Sequence, residues 1–187
     1  MRPLTRFFGA LAIAVASTMV QAESTFSLTS LTPDVAMKLA SAARQSCNDQ
    51  GYQVAVAVVD RSGLLQAFIR DRYATPHTVE VAERKAWTAL SFRIPTSEME
   101  KATNQDTVMM GIRHASKALM VGGGLPIEAG GSLLGGIGIS GAPGGDLDEA
   151  CAADGLLAIE DLIRDAEKRG LKAPFLWFDD RQSEALP

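Results

Sequence analysis

The run Val54-Ala55-Val56-Ala57-Val58-Val59 constrains this chain more than any other segment. It is short, rich in Val and free of polar residues, the pattern of a strand buried on both faces. Asp60-Arg61-Ser62-Gly63 follows as turn chemistry, and Leu64 to Arg70 returns as a second strand, so the pair reads as a hairpin. Upstream, Thr32-Pro33-Asp34 is a helix start: Thr caps, Pro suits the first helical position, and Asp favours the positive helix end. Val35, Leu39, Ala42, Ala43 and Cys47 keep helical spacing until Gly51.

Downstream, Thr78 to Phe92 reads as a second helix, with Val79, Ala82, Ala86 and Leu90 on one face. Pro95-Thr96 starts a short third helix, and Ser97 and Glu100 have the spacing of a capping box. Ala118–Val121, Leu125–Ile127 and Leu133–Ser140 read as strands, separated by Gly122-Gly123-Gly124 and by a Gly-rich turn. Asp146 and Asp148 open a last helix that runs to about Arg169 and stops at Gly170. Strands that come in hairpins favour an antiparallel sheet, with the first and last helices on one face of it. An antiparallel pair of those helices brings Cys47 and Cys151 together, which predicts a disulfide; two buried free thiols are the alternative.

The ends of the chain read differently. Met1–Ala22 has a basic start at Arg2 and Arg6, an apolar run from Phe7 to Val20, and small residues at Val20-Gln21-Ala22. This is the pattern of a secretory signal cut after Ala22. The expected organisation is therefore a leader over 1–22, one domain over 23–170 and an extension over 171–187, in a periplasmic or secreted protein with no stable membrane span after cleavage. The 187 residues hold one compact domain, and a net charge of −4 with no basic block disfavours nucleic-acid binding.

Several motifs suggest chemistry and few sustain it. Gly136-Ile137-Gly138-Ile139-Ser140-Gly141 fits a dinucleotide fingerprint, but Gly144-Gly145 follows where a helix should start. The plainer reading is a strand whose glycines let another backbone come close. Asp146, Asp148 and Asp154 lack calcium-loop spacing and suit a helix N-terminus better. No G-x-S-x-G, H-E-x-x-H or Cys–His arrangement is present, so hydrolytic catalysis has no support in the sequence. Glu80 and Glu83 stand three apart on one helix face and either hold a hard cation such as ferric iron or form a solvated surface. His77, between Pro76 and a helix, is either a haem-iron ligand or an exposed loop imidazole. Arg70, Arg72, Arg84 and Lys85 are the cations that would meet haem propionates. His114 reads as surface, and Met109, Met110 and Met120 as filler rather than soft ligands.

An ordered set of short stretches carries a resemblance. It comprises Val56-Ala57-Val58-Val59-Asp60 with Gly63, Pro76-His77-Thr78, Arg84-Lys85-Ala86, Pro95-Thr96-Ser97, Gly122-Gly123-Gly124-Leu125-Pro126-Ile127, and Gly138-Ile139-Ser140-Gly141 with Asp148-Glu149-Ala150-Cys151. From about Leu28 to Arg169 this series resembles the haem-binding HbpS/GlcG-like family and the C-terminal domain of PduO-type corrinoid adenosyltransferases. The resemblance implies an α/β (α+β) profilin-like sandwich: a five-stranded antiparallel sheet with helices on both faces. It also implies a homo-oligomer and a haem ligand, with corrinoid or ferric iron as alternatives. Glu80-x-x-Glu83 is similar to an iron pattern proposed within the family. The cofactor set so expected is His77, Arg70, Arg72, Arg84, Lys85 and Gly122, Gly123 and Gly124, with His77, Glu80 and Glu83 for metal.

Three functions remain open on the sequence. The first is a haem- or tetrapyrrole-binding carrier, buffer or sensor. The others are a non-catalytic oligomer that binds a partner, and an enzyme acting on a small organic acid or on haem.

Overall fold

A computed structural model describes Phe26, residues 28–105 and residues 107–168; the expected leader and C-terminal extension lie outside the described residues. Helix α1 (Pro33–Asp49) leads into strands β1 (Ala55–Asp60) and β2 (Leu65–Arg70), then helices α2 (His77–Phe92) and α3 (Thr96–Ala102). A 3-10 turn over Met110–His114 precedes β3 (Gly124–Ala129), β4 (Ser132–Ser140) and α4 (Gly145–Lys168). The sheet order is β2-β1-β4-β3 and every neighbouring pair is antiparallel.

The local signals act largely as expected. Thr32 accepts a hydrogen bond from the Val35 N–H, and Pro33 occupies the first turn of α1. Asp60 holds the hairpin turn by accepting from the N–H groups of Ser62 (2.8 Å) and Leu64 (3.0 Å). The expected capping box does not form. Ser97 and Glu100 both lie inside α3, whose first residue is Thr96, and both reach outward instead: Ser97 donates to Glu149 and Glu100 accepts from Gly122 N–H.

The sheet has four strands among the described residues, not five. Ala118–Val121, the fifth expected strand, pairs with no neighbour. Its backbone groups are taken by side chains of α2 before a strand could use them. Arg84 donates to the carbonyls of Lys117 and Ala118, and Thr88 accepts from Leu119 N–H. Satisfied in this way, the segment has no need of a ladder.

Helices cover both faces. On one side Val54, Val56, Val58, Ile137 and Ile139 pack against Leu39, Ala43 and Cys47 of α1 and Cys151, Ala152 and Ile159 of α4. On the other, Ala55, Ala57 and Val59 meet Ala82, Ala86 and Leu90 of α2. The second interface is thin because its residues are small. A Cβ at Gly138 would lie 2.1 Å from the Ala82 carbonyl oxygen, and one at Gly136 2.4 Å from that of Ala86. The glycine-rich run thus serves helix-to-sheet contact, as its strand-like alternation suggests, and no helix starts directly after it to hold a diphosphate.

Cys47 and Cys151 are bonded across α1 and α4, with Cα atoms 5.4 Å apart and a sequence separation of 104. A cross-link over a loop of about 100 residues stabilises by roughly 4–5 kcal/mol in the chain-entropy picture. The Cys47→Ala/Cys151→Ala variant should therefore lose several kcal/mol in urea unfolding, whereas a loss below about 1 kcal/mol would show that the bond stabilises little. Gly138→Ala should cost about 1–3 kcal/mol in the same assay, through overpacking under α2.

Candidate functional site

The most deeply placed charges belong to α2 and α4. Lys85 Nζ lies 2.8 Å from Asp148 Oδ2 and 2.9 Å from the Ile139 carbonyl oxygen, with side chains 2% and 4% exposed. Asp148 Oδ1 accepts from Ala142 N–H at 3.0 Å. Burial pushes the Asp148 carboxyl above the usual carboxylate range, while the Lys85 ammonium pulls it back down. Gly123, at φ +115°, sits over this pair; a Cβ there would come within 2.7 Å of both Lys85 Nζ and Asp148 Cβ. Lys85 is therefore committed to the fold and unavailable to a propionate. The sequence already held the cue: Thr78, Ala82, Lys85 and Ala89 recur at helical spacing, and all four are buried.

The glycine loop is similarly engaged. Gly122 N–H donates to Glu100 (3.2 Å), Gly123 N–H to Glu149 (3.3 Å), and Gly124 N–H to Thr96 (2.8 Å). Three amides that a phosphate or carboxylate ligand would need already have acceptors. Beside the loop opens a cleft of about 1030 Å³, edged by Glu100, Lys101, Arg113, Gly122, Asp146 and Glu149. Of the residues expected at the cofactor site, only Gly122 lines it.

His77 stands elsewhere, exposed as the first residue of α2. Its Nδ1 lies 3.2 Å from Thr75 Oγ1, and Nε2 has no hydrogen-bond partner among the described residues. The connection that carries it is firmly held. Asp71, buried and not singled out in the sequence, accepts from Val54 N–H (2.9 Å), Arg44 (2.8 Å) and Asn48 (3.3 Å). Thr78 donates to the Thr75 carbonyl at 2.6 Å. On the same connection Arg72 and Tyr73 are exposed, and Arg70 donates to the Ala74 carbonyl. An imidazole anchored through one nitrogen with the other free has the arrangement that a metal-ligating histidine needs.

The remaining candidates divide. Arg84 pairs with Glu80 at 3.3 Å while holding two backbone carbonyls, and Glu83 is half-buried one turn from Glu80. No group of three or more metal-ligating His, Cys, Asp or Glu side chains occurs among the described residues. The structure thus gathers His77, Arg70 and Arg72 on one connection, and sets Lys85 and Gly122–Gly124 apart in a packed polar junction.

The junction makes a sharp prediction. Removing one member of a buried ion pair costs about 3–5 kcal/mol, because the other charge stays buried. Lys85→Met and Asp148→Leu should each cost that much in urea unfolding, and the double variant should recover most of the loss. Fully additive losses would contradict the pairing.

Comparison with known proteins places this architecture. The family model described as "Haem degrading protein HbpS-like" matches residues 31–157. The crystal structure of HbpS is 39% identical, covering 74% of this chain and 96% of that one, with a TM-score of 0.70. The PduOC–heme complex is 28% identical, covering 70% of this chain and 96% of that one, with a TM-score of 0.66. Corrinoid adenosyltransferase PduO of Citrobacter freundii is 31% identical over 106 residues, which are 56% of this chain and 32% of that protein. The chain therefore spans about a third of the length of this curated relative. By the extent of the family match and the agreement of fold, this chain belongs to the HbpS-like family.

Proposed function

We propose that this protein binds haem or a related tetrapyrrole outside the cytoplasm and acts as a carrier, buffer or sensor in haem or iron handling. The observation that carries the reading is His77, an exposed imidazole with Nδ1 held by Thr75 and Nε2 without a partner among the described residues. Nε2 would hold the iron, Arg72 and Arg70 would meet the propionates, and exposed Tyr73 and Val79 would supply apolar surface. The haem complex of PduOC, on the same fold, supports the ligand class. The Cys47–Cys151 bond supports an oxidising compartment and accords with a leader over Met1–Ala22. A second copy of the chain would enclose a ligand held at this exposed residue, so the proposed working unit is a homo-oligomer.

Hemin added to the purified protein should give a red-shifted Soret band that saturates at a fixed stoichiometry. His77→Ala should weaken binding at least tenfold and change the band position, while Arg84→Gln should leave the position of the band unchanged. An unchanged spectrum at stoichiometric hemin would overturn the reading. The family description favours one second reading, turnover of the bound haem. Loss of Soret absorbance when loaded protein is given a reductant and dioxygen, beyond that of free hemin, would establish it.

A further inference from the structure

Strand β3 is an edge of the sheet, and Pro126 within it is tolerated because an edge strand need not donate on both sides. Between β3 and the second half of α4 runs a mainly apolar groove of about 600 Å³. Leu156, Leu157 and Ile163 of α4 and Ile127 and Ala129 of β3 line it, with Glu128, Glu160 and Arg164 at its rim. Leu157 is 68% exposed, which is unusual for a leucine in such a row. Open sheet edges are generally covered, charged or paired, because they otherwise recruit other chains.

We propose that this groove is the docking site for the chain's own Phe175-Leu176-Trp177-Phe178 segment. The position of the helix end and the composition of the tail both favour this occupant. Helix α4 is described to Lys168, about 8 Å along its axis beyond Ile163. Residues 169–174 then extend to about 20 Å, enough to reverse direction and reach the groove. Gly170 and Pro174 within that stretch both favour leaving a helical path. The segment is the one strongly apolar run after α4, and Asp179-Asp180 come directly after it. A chain returning antiparallel to α4 carries those acids toward Ala153, which borders both the groove and the larger cleft. The cleft there presents Lys101 and Arg113 beside Glu100, Asp146 and Glu149; Lys101 pairs with Glu98, and Arg113 donates to the Thr103 and Glu100 carbonyls. Apolar residues of the segment thus meet the apolar lining of the groove. The other sheet edge, β2, packs beside α1.

Trp177 reads the proposal directly. In the full-length Trp87→Phe variant it is the sole tryptophan. Its emission should be blue-shifted, and its acrylamide quenching several-fold weaker than that of free tryptophan. Adding Leu157→Glu, at an exposed position, should red-shift the emission and restore quenching with no change in helix content. Because Trp87 is half-buried, hydrogen exchange on the unmodified full chain provides the same test: amides of 175–178 should be protected, and Leu157→Glu should remove that protection. Solvent-like emission together with unprotected amides overturns the proposal. So does protection that survives Leu157→Glu. Protection lost on dilution to the monomer would assign the groove to a second copy and equally overturn docking in cis.

Discussion

A lysine and an aspartate taken out of water hold this architecture in register. Lys85 comes from the middle of α2, Asp148 from the first turn of α4, and the carbonyl they share space with comes from the end of β4. Two charges in a dry interior are tolerable only when each is met by the other and by further polar groups. That requirement fixes where α2 lies along the sheet, where α4 begins, and how the loop over Gly123 passes between them. The glycines of β4 follow from the same geometry, since α2 must approach the sheet closely for Lys85 to reach Asp148. Glu100, Glu149 and Thr96 then complete the junction by accepting the three amides of Gly122–Gly124.

With its middle fixed, α2 presents its first turn to solvent in a defined place. Asp71 ties the preceding connection to α1 and to the entry of β1, so the His77 backbone is anchored from both directions. Polar groups with structural duties are therefore buried, and the residues proposed to meet a ligand are left on the surface. The rigid junction sets the scaffold, and the exposed imidazole is the group proposed to meet the ligand.

Much of the fold could be read from local chemistry. The Thr32–Pro33 start of α1, the Asp60–Gly63 turn and the Val54–Val59 strand each express a short-range preference that tertiary packing reinforces. Cys47 and Cys151 could be matched because helix order alone brings them together. Other features depend on contacts between distant residues and left no local trace. Ala118–Val121 has a strand-like composition, yet Arg84 and Thr88 claim its backbone. Ser97 and Glu100 have capping spacing, yet the helix begins two residues earlier than that role requires and both side chains turn to partners beyond it. Lys85 near a histidine resembled a ligand-binding cation; its place in a buried stripe with Ala82 and Ala89 was the better guide. Asp71 gave no signal, since an acid between two arginines reads as surface.

The proposed haem site lies against the first turn of α2, and its position can be mapped without relying on the iron. Zinc protoporphyrin, which is diamagnetic, can be titrated into ¹⁵N-labelled protein while amide shifts are followed. Binding at that turn predicts perturbations centred on residues 72–80, with the His77 ring resonances among the first to move. Shifts confined to the cleft around Lys101, Arg113 and Gly122, with residues 72–80 unmoved, would refute the placement.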